Sequence, residues 1–144
     1  MKVFISLSMN GRADQVIKDD QQKYLKDLEI DMREKEMLTE NEHLDLVDTV
    51  THQNIPANAS RLWYLGEAIK KLSDADIVLF AGDWYKARGC WVEFAACVAY
   101  DKKMFWDFPK SAGAARAIEN VVSIISAFVV KKGIEDENNK RVSD

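Results

Sequence analysis

Cysteine is scarce in this chain, two in 144 residues, Cys90 and Cys97. They stand seven apart in what reads as one helix, about two turns along the same face and beyond disulfide reach. Both thiols are read as small buried hydrophobes of a reducing compartment rather than as a redox pair. Basic charge is not in excess: 20 Lys and Arg stand against 24 Asp and Glu, for a net charge of −4, and no basic patch is interleaved with aromatics. That argues against a nucleic-acid polymer as the partner and leaves single nucleotides open. The two histidines, His43 and His52, lack the cysteine or carboxylate spacing of a zinc site, so no metal is expected. Long apolar runs are missing as well. Val121 to Val130 is too short to span a bilayer, and Met1 to Ser6 lacks the apolar core and cleavage site of a signal peptide. The expectation is a cytoplasmic protein with no membrane association. Repeats, low-complexity tracts and linkers are absent too, so the chain reads as one domain over 1–134 with a charged tail over 135–144.

What is present alternates strand and helix. Lys2 to Leu7 is apolar and β-branched and reads as a first strand, followed by a turn at Ser8 to Arg12. Ala13 to about Met37 has Val16, Ile17, Tyr24, Leu25, Leu28 and Met32 at the spacing of an amphipathic helix with a wide solvated face. Leu44 to Val50 alternates enough for a second strand, and Thr51 to Ser60, with Pro56 and two asparagines, reads as a loop. Ser60 is the expected N-cap of a helix over Arg61 to Leu72, with Leu62, Leu65, Ala68, Ile69 and Leu72 on its inner side. A third strand over Asp76 to Ala81 leads through a turn-like segment into a helix over Cys90 to Tyr100. Lys103 to Trp106 is a short fourth strand, and a closing helix from about Ala112 to Lys132 carries Ala117, Ile118, Val121, Ile125, Phe128 and Val129. This order predicts an α/β fold, a single doubly wound domain of flavodoxin or Rossmann type, with a mostly parallel sheet and helices on both faces.

In such a fold ligands lie beyond the carboxyl ends of neighbouring strands. Three segments would meet there: Ser8 to Arg12, Gly82 to Gly89, and the opening of the helix that carries Glu93. Gly11 and Gly89 let backbone approach a ligand, and Ser6, Ser8 and Asn10 add short polar groups suited to a phosphate or a sugar hydroxyl. Ser and Asn also terminate strands for local reasons, and that reading stays open. Glu93 is the only ionisable carboxylate between Cys90 and Tyr100, among Trp91, Val92, Phe94 and Ala95. It serves either the helix dipole, as acids near a helix start do, or a reaction, since burial makes an idle carboxylate costly. Asp83 follows the third strand and faces a ligand by position, whereas Asp76 opens that strand at its far end, as a strand cap would. Trp84 and Tyr85 either stack on a planar base or close the edge of the core. Arg88 suits a phosphate or an acid.

Four segments in order, Met1 to Arg12, Trp63 to Gly66, Leu72 to Phe80, and Trp84 through Arg88-Gly89-Cys90 to Glu93, resemble a group of small uncharacterised bacterial and phage proteins. That group is similar to the nucleoside 2-deoxyribosyltransferases and the deoxynucleotide N-hydrolases. The resemblance spans about residues 1–107. It implies that Glu93 attacks the anomeric carbon of a deoxyribose and displaces the base, after which water or a second base resolves the glycosyl ester. It also implies that Ser8 and Gly11 help to hold a 5′-phosphate, that Asp76 lies near the base, and that the protein is a homo-oligomer. Two positions differ from the enzymes. Phe4 stands where they carry a tyrosine that orients the nucleophile, and Ala87 where they carry a short polar residue. Both differences bear on turnover more than on binding.

The expected function is therefore N-glycosidic bond transfer or hydrolysis on a (deoxy)nucleoside or its 5′-monophosphate, with Glu93 catalytic and without a cofactor. Ser8, Asn10, Gly11 and Arg88 would hold the sugar-phosphate end, and Asp83, Trp84 or Tyr85 the base, with Gly89 letting backbone approach the substrate and Asp76 of second rank. The alternatives are a module that senses or sequesters a nucleotide in the same pocket, and a structural subunit whose pocket is vestigial.

Overall fold

The computed structural model describes residues 1–106, 113, 115, 116 and 118–127. Its elements run β1 (Lys2–Ser6), α1 (Asp14–Glu34), β2 (Asp45–Leu46), α2 (Arg61–Ser73), β3 (Ile77–Phe80), a 3₁₀ turn (Trp84–Lys86), α3 (Arg88–Ala99) and β4 (Met104–Trp106). The four strands form one all-parallel sheet in the order β2-β1-β3-β4. The fold is α/β and of flavodoxin-like order. Phe4 is registered on Val78 and Ser6 on Phe80, so the carboxyl ends of β1 and β3 finish side by side.

Side chains alternate across this sheet and build a separate core on each face. Val3, Ile5, Leu7, Ile77, Leu79 and Ala81 face α1 and meet its Ile17, Leu25, Leu28 and Met32. Phe4, Val78 and Phe80 face the other way, toward Leu72 of α2, Cys90, Phe94 and Cys97 of α3, and Ile118. Strands buried on both faces explain why β1 and β3 read as unbroken apolar runs. The α1 side is aliphatic. The α3 side is aromatic, with Trp84 stacked on Phe94 at 5.5 Å and 11° and Phe80 packed against both.

Several boundaries and faces differ from the sequence expectation, each for a local reason. β2 is two residues long, not seven, because the Asp48 carboxylate accepts the N–H groups of Val50 and Thr51 and turns the chain away from the sheet. α1 stops at Glu34, and Glu36, two residues on, takes a φ of 56° that no helix continues. Val16 is exposed on α1, while Gln21 is buried in its place, with its amide Nε2 donating to Thr49 Oγ1 at 2.7 Å. Ser60 caps α2 as expected, accepting from Trp63 N at 3.1 Å, yet Leu62 is 77% exposed and only Leu72 of that helix is fully buried. In the closing helix Ile118 is buried and Val122 packs beside it, whereas Val121 turns outward. Ala117, Phe128 and Val129, and the 135–144 tail, lie outside the described residues. Among the described residues no helix is long and apolar enough to cross a membrane.

Candidate active site at the carboxyl end of the sheet

After β1 the chain crosses to β2, and after β3 it crosses to β4 on the opposite side. The segments following β1 and β3 therefore part and leave a crevice between them. It has a volume of about 400 Å³ and is lined by Leu7, Ser8 and Arg12 from the first segment, Asp20 and Tyr24 from α1, and Gly82, Asp83 and Lys86 from the third. Gly82 takes a φ of 59°, and a Cβ there would stand 2.9 Å from the Tyr24 hydroxyl, so tyrosine and glycine close together at the mouth. The Arg12 guanidinium pairs with Asp20 and donates to Ser8 O at 3.0 Å. Lys86 lies 3.6 Å from Asp83. Each cation of the crevice is thus held by one acid, with hydrogen-bond donors remaining for an incoming anion.

Glu93 approaches the same end of the sheet from the α3 side. α3 begins at Arg88, so Glu93 lies in its second turn, beyond the first-turn positions where the dipole and capping would employ an acid. It is 8% exposed, and among the described residues Oε2 has no hydrogen-bond partner and the carboxylate no ion pair. Burial pushes Glu93 up to about 7, opposed by the hydroxyl of Ser6, the last residue of β1. Ser6 is 2% exposed, and its Oγ, close enough to favour the carboxylate, is not in bonding geometry with it. Cys90 and Cys97 share the buried side of α3 with Glu93, and burial with the nearby carboxylate pushes both thiols up to about 12. Such thiols are neutral and unreactive, as a buried hydrophobe should be.

The remaining sequence-predicted residues separate into those the crevice gathers and those it does not. Ser8 and Asp83 line it, and Asn10 and Gly11 form the exposed turn beside it, with Gly11 at a φ of 68°. Glu93 is not part of the crevice wall, and its carboxyl stands with Ser6 on the α3 side of the sheet. Trp84 is fully buried in the aromatic core and so cannot stack on a base. Tyr85 is half-buried, its backbone carbonyl accepting from Trp91 Nε1 at 2.8 Å. Arg88 is exposed at the first position of α3, and Gly89 packs toward Leu65 of α2 rather than toward a ligand. Asp76 lies at the amino end of the sheet, where its Oδ2 accepts Lys2 N–H at 2.8 Å as a strand cap does, and it is not among the residues that line the crevice. Arg12, Lys86 and Tyr24 were not singled out from sequence. The first two stand in the turns that follow β1 and β3, which was the available signal. A second hollow of about 630 Å³ between α1 and β3–β4 shares Tyr24 with the crevice and includes neither Ser6 nor Glu93. No group of three potential metal ligands occurs among the described residues.

Comparison with protein-family models, with curated proteins and with solved structures gave no match for the chain.

Proposed function

We propose that this protein cleaves or transfers the N-glycosidic bond of a (deoxy)nucleoside or its 5′-monophosphate, with Glu93 as nucleophile. The observation that carries the reading is a buried carboxylate that has no counter-ion among the described residues, at the end of the sheet where β1 and β3 diverge. A carboxylate removed from water and left unpaired is a poor structural element and a strong stabiliser of an oxocarbenium-like centre. Glu93 would attack the anomeric carbon as the base leaves with the bonding electron pair, and water or a second base would then open the glycosyl ester. Arg12 and Lys86 in the crevice beyond the same strand ends suit the negative end of a monophosphate, and Ser8 a phosphate or sugar oxygen. Only the ionised carboxyl is nucleophilic, so base release should climb with pH through about 7. Incubation with a panel of deoxynucleosides and monophosphates, read as free base, tests the proposal. No base from any member would end it.

A second reading, nucleotide binding without turnover, is favoured by Phe4. Its ring lies in the aromatic core, at the position where the enzymes that the sequence resembles carry an orienting tyrosine hydroxyl. Thermal stabilisation by a monophosphate that is recovered intact would select this reading.

A further inference from the structure

The aromatic core contains two side chains that packing alone does not explain. Ser6 and Glu93 are both more than nine-tenths buried, they come from different elements, and neither Ser6 Oγ nor Glu93 Oε2 finds a partner among the described residues. A buried hydroxyl without a bond lowers stability, and alanine or valine would fill that position of a strand at less cost. Phe4, two residues earlier on the same face of β1, offers no donor. The groups facing Glu93 are Ser6 from β1 and, along α3, the neutral thiols of Cys90 and Cys97. Lys102 on that side is occupied by the carbonyls of Ser73 and Ala75. Among the described residues Ser6 is thus the hydroxyl that acts on the carboxylate.

We propose that Ser6 is the positioning residue of Glu93, its hydroxyl rotating onto one carboxylate oxygen so that the other is presented to the sugar. This rests on the reading of Glu93 as nucleophile. Both atoms are already desolvated and lack other partners among the described residues, so the bond would cost no further loss of solvent. A donor fixed on one oxygen also favours the ionised form that attacks.

The experiment follows the Glu93 carboxyl directly, by carbon-13 NMR of glutamate-labelled protein, across pH 4 to 9 in the wild type, Ser6→Ala and Ser6→Thr. Ser6→Ala should raise the titration midpoint by about 0.5–1 pH unit, roughly three- to tenfold in proton affinity, and Ser6→Thr should keep it near the wild-type value. Base release by Ser6→Ala should fall about tenfold or more in kcat with KM little changed, and its rising pH limb should move by the same interval. If the methyl of threonine prevents folding, Ser6→Cys, of similar size and a weaker donor, should give an intermediate midpoint. A midpoint that Ser6→Ala leaves unmoved, or that alanine and threonine shift equally, overturns the proposal. Absence of base release from the wild type would instead remove the function assigned to Glu93, and the titration would still decide whether Ser6 governs it.

Discussion

Two acids border the same sheet and meet opposite fates. At the amino end Asp76 is exposed and satisfied, accepting the Lys2 amide at 2.8 Å. Toward the carboxyl end Glu93 is buried, with an oxygen that no described residue satisfies. Ordinary folding rules account for the first completely: an acid on solvated ground caps a free strand amide. The second breaks those rules, and proteins that break them at the ligand-facing end of a parallel sheet usually do so for chemistry.

The largest effect should come from removing the buried acid. Glu93→Gln keeps the volume and removes the proposed nucleophile, so base release should drop at least about a thousandfold, measured as free base by chromatography. The same variant probes the cost of burial. Burial lifts Glu93 from 4.5 to about 7. Between those values the folded protein retains a proton that the unfolded chain has released. The stability this confers is complete below about 4.5 and is lost as pH rises through about 7. Urea unfolding of the wild type should accordingly weaken by up to about 3 kcal/mol between pH 5 and pH 8 relative to Glu93→Gln. Parallel curves for the two proteins would place the carboxyl in water.

Smaller effects sharpen the contrast between the two ends. Gly82→Ala at the crevice mouth forces a side chain into a left-handed conformation and against the Tyr24 hydroxyl. It should cost about 1–2 kcal/mol in denaturant unfolding and weaken any nucleotide-induced rise in Tm. Asp76→Ala at the opposite end removes one solvated acceptor. It should cost about 1 kcal/mol or less and leave base release as in the wild type. A large loss of activity there would erase the distinction between the two ends.

How much of this was legible beforehand follows the reach of each interaction. β1, β3 and the three main helices are written in local apolar runs and periods, and Ser60 caps α2 through a bond to a residue three positions on. Glu93 stood out because it interrupts an apolar helix. What stayed hidden depends on distant partners. Gln21 reads as solvated until Thr49, 28 residues later, is brought against it. Trp84 sits in a polar turn and reads equally as a base platform or as core edge, and only the approach of Phe80, Trp91 and Phe94 decides for the core. Leu62 has the right helical phase to be inside, yet it remains outside because no element among the described residues covers that face. The orphaned Ser6 hydroxyl is likewise a product of β1 meeting α3.

The Gln21–Thr49 bond has a consequence for heredity. Replacing either residue alone strands the other's polar atoms where water cannot reach, so single changes at these positions should be selected against. A pair of aliphatic replacements made together would fill the same space without that conflict. Descendants of this chain should therefore carry positions 21 and 49 as a linked choice, both polar or both greasy.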